Sequence, residues 1–233
     1  MFHYPAATLF NRPITKSKIL ERSKATTRIK NLLTHQVQHI VWHAKLAPET
    51  LFIPATIHVP EIQIFRLILK SSVIEPRLLD YLDNAIPQPI LWTLVTPDHQ
   101  IAHSAAHKRP SEADAGRWVT GPRFTSSFTS QPPAMPPLPT ALDLGHLYSA
   151  LLAPLLPLAA RRGETLPALI ERCSQHQSLQ RKIAQLTTKV HREKQFNRRV
   201  AFNQELNSLL VTLVVLEHCD KFLHGDSRLS EQT

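Results

Sequence analysis

The chain has 233 residues, 42% of them hydrophobic and 19% charged, and its 27 Lys and Arg residues outnumber its 18 Asp and Glu residues. The formal charge of +9 favours an anionic partner, which could be nucleic acid, an acidic protein or a membrane surface. Only 5 Gly and 2 widely separated Cys residues occur, which excludes glycine-rich phosphate loops, disulfide-rich scaffolds and thiolate zinc sites.

The first predicted element is a helix over residues 15–46, where apolar side chains recur at three- and four-residue steps before Pro48. On such a helix His35, His39 and His43 would share one face, a spacing that metal binding permits. Polar residues flanking a buried apolar stripe explain the same spacing without a metal. We therefore predict no metal site here.

The next elements alternate between strand and helix. A strand is predicted at 59–71, where alternation coincides with β-branched and aromatic residues, and a short helix at 76–86, which begins with proline. Two strands around the turn TPDHQ are predicted within 88–110, and another at 117–129. This order predicts an α+β domain over residues 1–129, in which helices cover one face of a small mixed or antiparallel sheet.

The remainder is predicted to be a linker followed by helices. Residues 130–140 contain five prolines and predict a stiff connector. Residues 141–233 predict an all-α region, and between Ala168 and His224 there is no Gly or Pro. A heptad seam there predicts a long, coiled-coil-like helix, roughly 80 Å long at about 1.5 Å per residue. We expect it to be mostly continuous, with a break near Asn197 as the alternative.

The stretch 179–204 carries seven basic residues and a single acid, Glu193. If these charges served only helix pairing, Glu would alternate with Lys. The excess of basic residues therefore favours binding to an anionic partner over a helix surface that is merely solvated. The residues predicted to contact nucleic acid or a partner are Lys189, Arg192, Lys194, Arg198 and Arg199. Those predicted for helix pairing are Ile183, Leu186, Val190, Phe196 and Val200.

No catalytic motif is present. GxSxG and HExxH are absent, and the acid-x-Lys spacing of a restriction-type nuclease is missing after Glu61. Glu112 and Asp114 lie two residues apart, but in a polar loop. We predict no catalytic residue and no cofactor. The alternative is a divergent metal-dependent nucleic-acid enzyme that uses Glu61 or Glu112.

Seven segments in chain order together resemble an uncharacterised bacterial family, the domain-of-unknown-function family 4391. The resemblance runs from about residue 10 to residue 216, and the segments are FNRPITKSKI, QVQHIVWHAKLAPETL, VPEIQIFRLIL, AIPQPILWTL, HKRPSEAD, LPTALDLGHLYSALLAPLLPL and EKQFNRRVAFNQEL. Members of the family tend to be encoded beside DNA methyltransferase and helicase genes, in loci resembling restriction–modification or other phage-defence systems. The resemblance implies a DNA-processing context and adds no catalytic residue.

We therefore expect a non-catalytic accessory or adaptor protein of a bacterial DNA-processing system. The expected partner is a DNA methyltransferase or a helicase, and non-specific DNA contact and a homodimer through the C-terminal helix stay open. The apolar runs 147–160 and 209–216 are shorter than the ~20 residues of a membrane span, so we expect a cytoplasmic protein that contacts no membrane.

Overall fold

A computed structural model describes residues 2–22, 24–114, 116–130 and 135–218. The chain forms two compact units, Met1–Leu155 and Leu156–Thr233. This division lies after residue 155, whereas the linker that we predicted from the sequence, 130–140, lies earlier in the chain. Within that linker, residues 131–134 are outside the described part.

The first unit contains a seven-stranded mixed sheet in the described part of the chain. Neighbouring strands follow chain order from β1 to β6, and β7 pairs with β5. Adjacent strands are antiparallel except β3 and β4, which are parallel. The predicted α+β class is confirmed. The strands are β1 (Leu9–Ile14), β2 (Val37–Leu46), β3 (Ile62–Leu69), β4 (Ile90–Val95), β5 (Gln100–Pro110), β6 (Trp118–Thr125) and β7 (Thr129–Ser130).

Three helices pack on one face of this sheet. Ile19, Leu33 and Leu82 project from three helices onto the strand residues Leu67 and Trp92, and all five side chains are buried in one cluster. The helix that carries Leu82 also links the parallel strands β3 and β4, as a parallel pair requires. The helices of this unit are α1 (Lys16–Arg22), α2 (Thr27–Gln36), α3 (Pro48–Leu51), α4 (Pro76–Ala85) and α5 (Leu144–Leu152).

The prediction of one helix over residues 15–46 is wrong, because its second half is the strand β2. The β-branched residues there suit a strand, and Trp42 stacks on Phe10 and on Phe65 with ring centroids 4.4 and 6.4 Å apart. His35 therefore lies in α2, whereas His39 and His43 lie in β2, so the three imidazoles do not share a helix face. Among the described residues, no group of three or more His, Cys, Asp or Glu side chains could hold a metal ion.

The second unit is a helical hairpin of α6 (Leu166–Arg192) and α7 (Phe196–His218). The expectation of a mostly continuous helix is wrong, since the chain leaves the helical conformation at residues 193–195. The two helices are antiparallel, because residues near the start of α6 contact the end of α7. Each helix has an apolar seam, and folding back buries both seams against each other, which one long helix would leave exposed.

Candidate functional site

The hairpin is held along its length by an apolar seam. On α6 the predicted pairing residue Leu186 is buried, and Ile183 and Val190 are half-buried. Half-buried residues of α7 recur at steps of four and three, the spacing of a helix–helix seam. They are Phe202, Leu206, Leu209, Leu213 and Leu216. The seam fixes the register of the two helices and therefore which residues form the turn between them.

The open end of the hairpin is fastened by charged side chains. Arg172 donates two hydrogen bonds to the carboxylate of Glu164, at 2.8 and 2.7 Å, and a third to the carbonyl of Leu216 at 3.2 Å. The Arg172 guanidinium lowers the pKa of Glu164 to about 2. His176 Nε2 lies 2.9 Å from a carboxylate oxygen of Glu217. These contacts, which we call the hairpin base, join the start of α6 to the end of α7.

The opposite end is the hairpin tip, residues 189–199. The backbone N–H of Glu193 donates to the carbonyl of Lys189 and closes α6, and the Glu193 carboxylate accepts the backbone N–H of Gln195 at 2.9 Å. The structure brings all the residues predicted to bind an anion into this one turn. They are Lys189, Arg192, Lys194, Arg198 and Arg199, and each is exposed.

The basic side chains of the hairpin tip form no ion pair within the described part of the chain. In the described ranges, none of the five makes an ion pair or donates a side-chain hydrogen bond. Lys194, Arg198 and Arg199 lie at the start of α7, whose first turn contains no acidic residue. Cations destabilise the positive N-terminal end of a helix, whereas an anion bound there would be stabilising. The helix dipole therefore disfavours the basic residues next to the start of α7, whereas it favours Lys189 and Arg192 in the last turn of α6.

A model of one protein family, described as domain of unknown function (DUF4391), matches residues 2–213 of this chain. The chain belongs to this family. No curated protein and no solved structure matches the chain. The DUF4391 match includes the whole hairpin tip, so the turn and its charges lie inside the family domain.

The apolar residues near the tip do not all enter the seam. Phe196 is 68% exposed and Val200 38% exposed, so their pairing role stays a prediction that a second chain would have to fulfil. Sequence reasoning missed a further apolar patch on the side of α7 that faces away from α6. This α7 patch consists of Leu210, Val211, Val214 and Val215, which are 40 to 65% exposed. An exposed apolar patch of this kind is typical of a surface that contacts another protein.

The acids considered for catalysis occupy separate settings. Glu61 lies just before β3, where it pairs with Lys45 at 3.0 Å and accepts a hydrogen bond from the Gln63 amide. Glu112 lies in an exposed loop and pairs with Arg109. Each acid is thus engaged by a neighbouring basic residue, and neither belongs to a metal-binding group among the described residues. No described helix is both long and apolar enough to cross a membrane.

Proposed function

We propose that this chain is a non-catalytic accessory protein of a bacterial DNA-processing system, which contacts the phosphate backbone of DNA through the hairpin tip. The main support for the proposal is the set of five exposed basic residues in the hairpin tip, none of which forms an ion pair with another residue that the structure describes. The resemblance of the chain to a family encoded beside methyltransferase and helicase genes supplies the context, and the protein would act in the cytoplasm.

Phosphate is the anion that best suits this turn. Five cations surround a single acid, Glu193, whose carboxylate is already bonded to the backbone of Gln195. Lysine and arginine contacts to phosphates release condensed counterions, which supplies affinity without reading the base sequence. Phe196 is the one Phe, Tyr or Trp residue of the tip. Binding of single-stranded nucleic acid, whose bases stack on several aromatic side chains, is therefore disfavoured. We therefore propose non-specific contact with duplex DNA, and not recognition of a sequence.

The α7 patch would provide the contact to the partner enzyme. Val211 and Val214 lie one turn apart on the exposed side of α7, and the patch also includes Leu210 and Val215. Binding of a DNA methyltransferase or helicase there would bury these side chains. Simultaneous DNA contact at the tip would hold the enzyme at a high local concentration of its substrate. A second copy of the chain, which would form a homodimer through the same patch, is the alternative partner.

Affinity purification from the bacterial host tests the partner. The tagged chain is compared with a variant that carries Val211→Asp and Val214→Asp, both after nuclease treatment so that DNA cannot bridge proteins. A matched control carries Ile57→Asp and Val73→Asp, which are 87% and 70% exposed in the first unit. We expect a methyltransferase or helicase to co-purify with the wild type and the control but not with the α7 variant. Co-purification of that enzyme with all three, or recovery of only a second copy of the chain, would contradict the proposal.

A further inference from the structure

The face of the sheet opposite α1, α2 and α4 contains a second candidate site, which is independent of the hairpin. A cavity of about 380 Å³ lies there, which we call the open-face cavity. Successive strand residues point to opposite faces, and Phe65, Leu67, Trp92 and Leu94 belong to the helix-facing core. The residues between them therefore line the opposite face. The cavity is lined by residues of β2, β3, β4 and β5 together with Phe2, His3, Tyr4, Leu9, His99 and Met135.

Two rows of side chains cross the floor of the open-face cavity. Arg66 of β3 is the register partner of Thr93 of β4, which in turn is the partner of His103 of β5. The Thr93 hydroxyl lies 3.3 Å from Nδ1 of His103. The next row contains Ile68, Val95 and Ile101, in the same strand order. A polar row thus lies directly beside an apolar row.

Arg66 is the charged group of this floor, and its charge is not compensated. It is half-buried, and within the described residues it forms no hydrogen bond and no ion pair. No acidic side chain lines the cavity in the part of the chain that the structure describes. By contrast, Arg123 of the same unit donates to Asp80 at 3.0 Å and also pairs with the buried Asp83. A cation held in a largely apolar cavity without a counter-ion is costly, unless a ligand supplies the anion.

The neighbouring histidines add polarity without charge. Burial lowers the pKa of His43 and of His103 to about 4, and positive charge adds to this effect: Arg66 at His43, and the amino terminus followed by Arg66 at His103. His43 Nδ1 lies 2.7 Å from the amide oxygen of Asn11, to which it donates. Burial also raises the pKa of Tyr4, so its phenol stays neutral. Near neutral pH, the Thr93 hydroxyl can donate to an anion beside Arg66 while Nδ1 of the neutral His103 donates to Thr93. The single proton of the neutral His43 is used on Asn11, so this imidazole lines the cavity without donating to the anion.

We propose that the open-face cavity binds a small organic anion. Its phosphate or carboxylate head would pair with Arg66 and accept a hydrogen bond from Thr93. Its apolar or aromatic body would lie on the row of Ile68, Val95 and Ile101. A planar guanidinium flanked by hydroxyl and imidazole groups suits either head, because both present several acceptor oxygens. The volume falls within the range of small-molecule sites, about 300 to 1,000 Å³.

Thermal unfolding and calorimetry of the full chain with four probes test this site. Phenyl phosphate and benzoate share a phenyl body but differ in the anionic head, benzyl alcohol has the body without a charge, and inorganic phosphate has the head alone. Three proteins are compared: the wild type, Arg66→Met, and Arg77→Met as a control that removes an exposed arginine on the helix-covered side. Met keeps the apolar stem of Arg66 and removes only the guanidinium.

We expect phenyl phosphate, benzoate or both to raise the Tm of the wild type and the control by several degrees, and to leave Arg66→Met unchanged. Which of the two binds more tightly identifies the head. Benzyl alcohol should have no effect, and inorganic phosphate a smaller effect than phenyl phosphate. If Arg66→Met does not fold, Arg66→Lys serves instead and should lose about tenfold in affinity, since lysine lacks the bidentate fork. The proposal is overturned if no anion shifts the wild type, if the Arg66 variant responds like the wild type, or if inorganic phosphate matches phenyl phosphate.

Discussion

His176 Nε2 lies 2.9 Å from Glu217 Oε1, and this contact joins α6 to the last turn of α7. The pair belongs to the hairpin base, where Arg172 also binds Glu164 and the carbonyl of Leu216. The tip lies at the other end of α6, which at about 1.5 Å per residue is roughly 40 Å long. The base is therefore joined by side-chain contacts between the two helices, whereas the five basic side chains of the tip form no ion pair among the described residues.

Removing the Arg172 guanidinium should loosen the hairpin base. Arg172→Met leaves the Glu164 carboxylate, which is 10% exposed, without its cation, and it removes a donor from the last carbonyls of α7. Breaking a buried ion pair costs about 3 to 5 kcal/mol. We expect faster hydrogen exchange of the α7 amides, measured by mass spectrometry, with little change in the sheet. Arg181→Met, at an exposed and unpaired position of α6, should change α7 exchange little; equal effects of the two variants would show that the base contacts do not hold the hairpin.

Arg66 and Arg123 should respond in opposite ways to the same substitution. Arg123→Met breaks its pairs with Asp80 and Asp83 and should lower the free energy of unfolding by about 3 kcal/mol or more. Arg66→Met removes a cation that has no internal partner, so stability should stay within about 0.5 kcal/mol of the wild type or increase. Urea unfolding followed by tryptophan fluorescence gives both values. A large loss of stability in Arg66→Met would mean that this arginine has a structural role.

Anion binding in the open-face cavity should take up protons. In the free chain, burial is the main cause that keeps the pKa of His43 and His103 at about 4; the charge of Arg66 contributes at both, after the amino terminus in the case of His103. A bound anion offsets the Arg66 charge and raises both pKa values, so the complex holds more protons than the free chain. Affinity should therefore increase as the pH falls from about 7 to about 5. The other titratable groups that line the cavity are His3, Tyr4 and His99.

Calorimetry in buffers of different ionisation enthalpy measures this uptake. The ligand should stay ionised throughout the range, as benzoate or benzenesulfonate does, so that protons are bound only by the protein. A double variant, His43→Gln and His103→Gln, should bind the anion with a weaker dependence on pH than the wild type, because only His3 and His99 remain of the cavity's histidines. Affinity that is flat or falls on acidification of the wild type would rule out the coupling between Arg66 and the histidines.

The sequence predicted the strands and the helix between residues 59 and 125 well, because their patterns are local. β3, α4, β4, β5 and β6 all lie within or close to the predicted segments. Residues 37–46 were assigned to a helix because Val37, Ile40, Val41 and Ala44 also fit a three- and four-residue repeat. These residues form β2 because they pair with β1 on one side and β3 on the other. Both partners are distant in sequence, so a local pattern does not contain them.

The two candidate sites differ in how far the sequence could predict them. The basic residues of the tip were found because they are contiguous. The turn was predicted only as the alternative, a break near Asn197, since it contains no Gly or Pro and depends on the pairing of two seams. The open-face cavity was missed altogether. A signal existed in β3, where Arg66 interrupts an apolar run. Its alignment with Thr93 and His103, however, depends on the register of three strands, which no local pattern contains.

The most direct test of the central claim is the salt dependence of binding to a fluorescent DNA duplex of random sequence. The wild type is compared with a tip variant carrying Glu at positions 192, 194, 198 and 199. A control variant carries Glu at four exposed basic positions of the first unit, Lys24, Lys30, Arg77 and Arg117. Both variants change the net charge equally, so a general effect of charge would weaken them alike.

If the hairpin tip contacts DNA phosphates, the tip variant loses most of the affinity, and its plot of log affinity against log salt becomes shallower by about 0.9 for each contact removed. The control should keep a slope close to that of the wild type. Polyglutamate, tested as a competitor, separates an acidic protein surface from DNA and should displace the duplex poorly. Equal losses in the two variants, or wild-type binding that does not depend on salt, would contradict the account.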